Sequence, residues 1–424
     1  MNLDKTVIDR VLSEQKDELA ARRKRKWVSR REEERIHLSS PLAQVVIGVR
    51  RSGKSTLCFN TLEKARVKYG YVNFDDENFM NLEASMLNDV LEGVYRIYGN
   101  VDYLFFDEIQ NAQGWPLFVN RLLRQGKHLL ITGSNSKLLS HELSSHLTGR
   151  HHTIELFPFS FSDWCHFKGL DVTALSTLGK ARLEVAFDEY LLQGGFPELL
   201  AVPDKKEYIN TLFHNILEQD IRRRFKVRNA PELVKMSNLM LNEAPALVVK
   251  EALKESCGIQ SEHTVARYIS YLTQTYLVSL VSKYSVKSRQ RARNDKYYAI
   301  DVAFMDRRQD AFAGANLGWR LETMVYLELR RRHQHQDIFY YKEAATECDF
   351  VVCEGNRPMA AYQVCYDLSD SKTRTREVRG CKAALSKLHC PTVYLITLKQ
   401  HEDISTPNGT IQVRQAWEWL LERE

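Results

Sequence analysis

The octapeptide Gly48-Val49-Arg50-Arg51-Ser52-Gly53-Lys54-Ser55 constrains this chain more than any other stretch of it. It meets the P-loop pattern G-x-x-x-x-G-K-[ST] in full. That pattern requires a strand before it and a helix after it, and both are legible. Ala43, Val45, Val46 and Ile47 make a short apolar run that predicts a buried strand, and residues Ser55 to Lys68 predict a helix. In such a turn Gly48 and Gly53 let the backbone reverse without a Cβ penalty. Successive N–H groups then face an anion at a helix N-terminus. Lys54 is expected to reach the β- and γ-phosphates and the Ser55 hydroxyl to hold Mg²⁺, with Thr56 completing the cradle. ATP and Mg²⁺ are the expected cofactors. No Asn-Lys-x-Asp guanine-reading motif is present, which favours ATP over GTP.

A phosphate cradle hydrolyses nothing without a metal shell and a water-activating base. The run Val101-Asp102-Tyr103-Leu104-Phe105-Phe106-Asp107-Glu108 is mostly apolar and ends in two acids, as a buried strand delivering carboxylates to its C-terminal edge would. Asp107 is expected in the Mg²⁺ shell and Glu108 as the base that orients and deprotonates water. Adjacent residues on a strand point to opposite sides, which allows this division of roles. A further apolar run, His128 to Thr132, turns polar at Gly133-Ser134-Asn135. Ser134 or Asn135 is the candidate γ-phosphate sensor, with Thr132 behind. Leu147-Thr148-Gly149-Arg150 precedes another expected strand, His152 to Phe157. Arg150 at that corner is the candidate arginine finger, acting in trans on a neighbouring subunit; its alternative is a helix cap.

These motifs together with Asp107-Glu-Ile-Gln, Gly114-Trp115, Thr132-Gly-Ser-Asn and Gly149-Arg150 resemble a bacterial and archaeal family of AAA+-type ATPases with a C-terminal DUF4143 domain. Pro158-Phe-Ser-Phe-Ser-Asp-Trp164 and Tyr190-Leu-Leu-Gln-Gly-Gly-Phe-Pro197 resemble it too, so the likeness covers nearly all of the chain after about residue 35. It implies an α/β P-loop NTPase with a parallel sheet, a helical lid, a winged helix-turn-helix and a restriction-endonuclease-like α/β domain. The expected boundaries are 1–39 for a charged helical N-terminal segment, 40–160 for the ATPase core, 161–225 for the lid, 226–305 for the winged helix and 306–424 for the nuclease-like domain. Arg150 completing a neighbour's site implies a homo-oligomer, with a hexamer among the candidate rings.

Within 226–305, Ala246 to Cys257 predicts a helix ended by Gly258, and Ser261 is placed to cap the next one. Val265, Tyr268, Ile269, Leu272 and Tyr276 give that second helix its apolar face, leaving His263, Thr264, Arg267 and Ser270 outward. The hairpin tip carries Lys287, Arg289, Arg291 and Arg293, alternating cations suited to a wing along phosphates. Thr264, Arg267 and these four are the candidate DNA contacts; packing alone or a protein partner is the alternative. In the last domain Glu322 and Asp349 match two metal-ligand positions of the PD-(D/E)xK pattern. The third strand departs from it, with Gln363 for the acid and Cys365 for the lysine. A neutral amide is a poor Mg²⁺ ligand, so this site is expected to be degenerate, with Arg374, Arg376 and Arg379 left to grip a nucleic-acid backbone.

The remaining properties narrow the class. Net charge is only +6, but basic runs occur at Arg22 to Lys26, Arg222 to Arg224, Lys287 to Lys296 and Arg330 to Arg332. The eight cysteines form no C-x-x-C pair and are expected to be reduced thiols. No apolar stretch is long enough for a membrane helix and no apolar leader opens the chain, so a cytoplasmic protein with no membrane partner is expected. The leading expectation is an ATP-driven motor or switch acting on DNA, branched DNA included. A regulatory switch binding protein partners and an ATP-gated metal-dependent nuclease are the rivals.

Overall fold

Short strands flanked by amphipathic helices leave an α/β layering as the way to bury both kinds of apolar face. The computed structural model describes residues 4–25, 27–79, 82–134, 147, 149–174, 176–285, 295–305, 316–334, 336–344 and 346–422. They fall into two units, Met1–Leu156 and Phe157–Glu424.

The first unit opens with helix Lys5–Arg22 (α1). Strands Ala43–Ile47 (β1), Tyr69–Asn73 (β2), Tyr103–Asp107 (β3), His128–Gly133 (β4) and His151–Glu155 (β5) form one parallel sheet in the order β2-β3-β4-β1-β5. Helix Lys54–Ala65 (α2) follows β1, Leu87–Tyr98 (α3) follows β2, and Trp115–Arg124 (α4) follows β3. All five β1 residues are buried, as in a parallel strand covered on both faces. Ile47 lies opposite Gly133 and Glu155, and Asn73 opposite Asp107. The C-terminal ends of β1 to β4 therefore share one edge, where sheets of this kind bind ligands. Gly48 is required there: a Cβ on it would lie 2.1 Å from the Leu156 carbonyl oxygen.

The charged N-terminal helix packs into this core. Asp4 caps α1, and Ile8, Val11, Leu12, Gln15 and Leu19 are buried along one face. Gly93 of α3 leaves room for Ile8 and Leu12, whose atoms lie 2.9 and 2.8 Å from where a Cβ would be. β2 is the sheet's edge, and Gln15 completes it as a neighbouring strand would. Gln15 Nε2 donates to the Asn73 carbonyl over 3.1 Å, and Asn73 N donates back to Gln15 Oε1 over 2.9 Å. Helix α2 stops at Ala65, short of the expected Lys68, because Arg66 turns left-handed at φ 54°.

The second unit begins with helices Phe161–Phe167 (α5), Thr177–Gln193 (α6) and Lys205–Asn215 (α7). Helix Ala230–Glu243 (α8), strand Ala246–Leu247 (β6), helices Lys250–Cys257 (α9) and Glu262–Gln274 (α10), and strands Val278–Val281 (β7) and Lys296–Ala299 (β8) follow. β6, β8 and β7 form an antiparallel sheet in that order. The expected helix Ala246 to Cys257 thus starts four residues late. Ala246 and Leu247 pair with Tyr297 and Lys296, and the β-branched Val248 and Val249 carry the chain to a helix starting only at Lys250. Ser261 does cap α10, its Oγ accepting from Thr264 N.

Helix Leu317–Arg332 (α11), strands Asp337–Glu343 (β9), Thr346–Glu354 (β10) and Arg357–Cys365 (β11), helix Ser371–Ser386 (α12), strands Thr392–Thr397 (β12), Glu402–Thr406 (β13) and Gly409–Gln415 (β14), and helix Ala416–Leu421 (α13) complete the chain. The strands form a mixed sheet in the order β13-β14-β12-β11-β10-β9. Its core includes Val351, Ala361, Leu395 and Val413 together with the buried thiols Cys348, Cys353, Cys381 and Cys390. All eight cysteines are free and buried. Among the described residues no helix is long and apolar enough to cross a membrane.

Candidate active site

The P-loop wraps the N-terminus of α2 with Arg51 and Gly53 both left-handed, at φ 69° and 96°. Lys54 is 4% exposed, and its Nζ donates to the Val49 carbonyl over 3.3 Å. The same ammonium stands 3.5 Å from Glu108 Oε1. Ser55 Oγ donates to Asp107 Oδ1 over 2.9 Å. Val49 is fully buried, Arg51 is exposed, Thr56 is half-buried, and Arg50 lies 3.7 Å from Asp75. The buried Ser52 Oγ has no hydrogen-bond partner among the described residues.

The two acids separate by a different device from strand alternation. β3 ends at Asp107, and Glu108 leaves the strand in a left-handed conformation at φ 51°. Its backbone N–H donates to Thr132 Oγ1 over 3.0 Å, and its Oε2 accepts from Ser134 N over 3.2 Å and from Gln110 Nε2 over 2.5 Å. Burial pushes the Glu108 carboxyl up, but the Lys54 charge, followed by Gln110, Arg50 and Ser134, outweighs it and holds Glu108 below its ordinary value. Asp107 goes the other way. Burial and then the Glu108 charge raise it, against the pull of Thr132, Ser55 and Lys54.

Thr132 is more central than its place behind the sensor implied. Its hydroxyl donates to Asp107 Oδ1 and accepts from Glu108 N, tying both acids to β4. Tyr71 adds a hydroxyl 3.3 Å from Asp107 Oδ2. Ser134 is buried beside Glu108, whereas Asn135 lies outside the described residues. Sequence reasoning missed Arg30. Buried with Glu32 at 3.6 Å, it donates from Nη1 to the Ser52 carbonyl over 3.2 Å. Nothing in the run Arg30-Arg-Glu-Glu-Glu-Arg35 singles it out.

Arg150 lies away from this constellation. It immediately precedes β5, whose His151 pairs with Ala43 at the start of β1. The loop Gly48 leaves from the other end of β1, about 16 Å along a five-residue strand. Arg150 Nη1 donates to Asn120 Oδ1 over 2.8 Å.

In the second unit Glu322 on α11 and Asp349 on β10 converge, joined by Glu347, in a pocket of about 380 Å³. Lys296 of β8 stands among them. Gln363 lines the same pocket and is hydrogen-bonded within the chain. Its Nε2 donates to Glu377 Oε2 over 2.6 Å and its Oε1 accepts from Asp349 N over 3.3 Å. Cys365 is buried, its thiol 3.2 Å from the Asp367 carbonyl. Two of the three cations expected to grip a backbone pair within the chain. Arg374 chelates Glu402 through bonds of 2.7 and 2.9 Å, and Arg376 binds Glu377 over 2.8 and 2.5 Å. The Arg330 to Arg332 run is no surface patch either: Arg331 is 2% exposed and donates to the Pro158 carbonyl, while Arg332 binds Glu328 and the Trp419 carbonyl. Arg267 is exposed on α10 and Thr264 half-buried at its first turn. Lys287, Arg289, Arg291 and Arg293 lie outside the described residues.

Comparison with known proteins fits the first of these sites. Residues 40–165 match a family model described as an AAA domain. Residues 184–311 match a domain of unknown function, DUF8612; the DUF4143 type named from the sequence is not the one matched there. The uncharacterized protein MJ1544 of Methanocaldococcus jannaschii is 31% identical over 422 residues, covering 96% of this chain and 93% of that protein. An uncharacterized protein of Haemophilus influenzae is 28% identical, covering 89% and 94%. The solved RuvB Holliday junction branch migration motor of Thermotoga maritima is 14% identical over 63% of this chain and 88% of that one. Its TM-score of 0.26 is too low to argue from.

Proposed function

The chain belongs to the family of the Methanocaldococcus jannaschii protein MJ1544 and carries an AAA-type P-loop domain, and from that premise we propose that it is a Mg²⁺-dependent ATPase acting on DNA as an oligomeric motor or switch. One observation carries the nucleotide chemistry: Lys54, Ser55, Asp107 and Glu108 converge at one sheet edge, with Ser55 on Asp107 and Lys54 on Glu108. The residues fit the cofactor. A serine hydroxyl and a carboxylate are the hard oxygen donors Mg²⁺ takes. The buried Ser52 hydroxyl, without a partner among the described residues, and the Gly48 turn suit a phosphate cradle. Mg²⁺ would neutralise charge on the terminal phosphates, held by Ser55 and Asp107. Lys54 would bind those phosphates, Glu108 would take the proton of the attacking water, and Ser134 or Asn135 would sense the γ-phosphate.

We read Arg150 as a finger for a neighbour's site, since the opposite sheet edge puts its own out of reach. This implies a homo-oligomer. We read residues 226–305 as a winged helix-turn-helix, supported by their order of helix, strand, two helices and two strands with β8 central. Arg267 and Thr264 would then face DNA. The in-chain pairing of Arg374 and Arg376 favours the second reading, a switch whose C-terminal domain holds a protein partner.

Steady-state ATP hydrolysis tests this, measured alone and with duplex, single-stranded and branched DNA. Turnover abolished by Lys54→Ala and stimulated by DNA in a salt-sensitive way is the expected result. Turnover without stimulation or DNA binding moves the reading to the partner switch; turnover surviving Lys54→Ala overturns the site.

A further inference from the structure

The second carboxylate cluster holds a cation supplied by the chain itself. Lys296 Nζ lies 2.9 Å from Glu322 Oε1, 3.3 Å from Glu347 Oε1 and 3.8 Å from Asp349 Oδ1. From β8 it reaches three carboxylates on two other elements: one on helix α11 and two on β10. Its side chain is 11% exposed. Each carboxylate also accepts a hydrogen bond from a further residue of the chain. Tyr298 donates its hydroxyl to Glu322 Oε1 over 2.8 Å, Lys342 Nζ sits 2.9 Å from Glu347 Oε2, and Val364 N donates to Asp349 Oδ2 over 2.9 Å. Burial opposes the charge on Lys296, but Glu322, then Asp349 and Glu347, hold the ammonium above its ordinary value.

The divalent metal implied by a nuclease-like fold does not fit these residues. Mg²⁺ draws carboxylate oxygens to about 2.1 Å in an octahedron, and here the centre of the acids is taken by Lys296 Nζ, 2.9 Å from Glu322 Oε1 and 3.3 Å from Glu347 Oε1. The position that would add a third acid carries Gln363, turned to Glu377. We infer that Lys296 is a built-in counter-ion seated where Glu322, Glu347 and Asp349 would otherwise gather a divalent cation, so that this pocket is a structural joint between β8, α11 and β10 and takes no metal. This goes beyond the ATPase reading and is independent of it. A single substitution, Lys296→Met, removes the ammonium and leaves three acids facing one another, which creates a divalent-cation site.

Mn²⁺ binding followed by electron paramagnetic resonance tests this on the full, nucleotide-free chain. Wild type is expected to behave as Asp349→Asn does, with no Mn²⁺ that depends on this pocket. Lys296→Met is expected to gain one site at least tenfold tighter than any in wild type, lost again in Lys296→Met/Asp349→Asn. If unpaired acids weaken the fold, the same gain appears as a rise in the melting temperature of Lys296→Met with Mn²⁺ that wild type does not show. Wild-type Mn²⁺ binding that Asp349→Asn abolishes overturns the inference. So does a folded Lys296→Met that gains no site. Should Lys296→Met fail to fold at any Mn²⁺ concentration, the wild-type and Asp349→Asn comparison alone decides.

Discussion

The Ser55 hydroxyl donates to Asp107 Oδ1 over 2.9 Å, linking the first turn of α2 to the last residue of β3. The bond holds together the two oxygens proposed for the metal and leaves Glu108, one residue on, to Lys54. Two roles therefore separate by substitution. Asp107→Asn is expected to lower turnover by about 10²–10³ through lost metal charge compensation. Glu108→Gln is expected to lower it by about 10²–10⁴ while ATP still binds within a few-fold of wild type. A fluorescent nucleotide titration beside the rate assay checks this. A Glu108→Gln protein that no longer binds ATP would place Glu108 in binding, not in water activation.

Thr132 satisfies one acid's oxygen and the other's backbone N–H, and it is fully buried. Thr132→Val keeps the shape and removes both bonds. Stability is expected to fall by about 1–3 kcal/mol, the cost of leaving buried polar groups unpaired. Turnover should fall with it while ATP affinity changes little. Urea unfolding and the rate assay read the two effects separately; unchanged values in both would show that the Glu108 turn holds without β4.

Much of this was legible because local chemistry dictated it. The P-loop needs its two glycines and its lysine whatever surrounds them, and apolar runs ending in acids announce strand ends at a sheet edge. The Glu108 turn was not legible, since a left-handed glutamate is stabilised by Thr132, Ser134 and Gln110, which only tertiary structure brings near. Arg30 and Lys296 were hidden for a similar reason. Each acts on residues distant in sequence, and each sits in a run of charges that reads as a solvated surface. The Arg330 to Arg332 run misled in the opposite sense, because buried arginines satisfied by carbonyls look like a basic patch on paper.

Arg150 and the P-loop sit at opposite edges of one sheet, so a finger role requires two subunits. Arg150→Ala and Glu108→Gln are each expected to be nearly inactive alone. Mixed together, they should regain activity, because an interface can form that carries Arg150 from one protomer and Glu108 from the other. Arginine fingers contribute about 10³–10⁵ to turnover, so even a minority of repaired interfaces is measurable. If Arg150→Ala alone keeps wild-type turnover, its bond to Asn120 is its whole role.

Gly194 and Gly195 close on Asp301. Asp301 Oδ2 accepts from Gly195 N over 2.9 Å and Oδ1 from Ala303 N over 2.9 Å. A Cβ at Gly194, where φ is 82°, would lie 1.8 Å from Oδ1, so Gly194→Ala is expected to destabilise the second unit by about 2–4 kcal/mol. Burial pushes the Asp301 carboxyl up to about 6, with the two N–H donors and Arg331 and Arg320 pulling against it. The sign follows from proton linkage. Between the unfolded value near 4 and the folded value, the native state keeps a proton that the unfolded state has released, so this contribution is full below about pH 4 and is lost as pH rises through 6. Wild type should therefore gain about 1 kcal/mol on Asp301→Asn when pH falls from 7 to 5. Urea unfolding of both proteins at the two pH values measures it, and a difference that stays constant between them would mean Asp301 is ionised throughout.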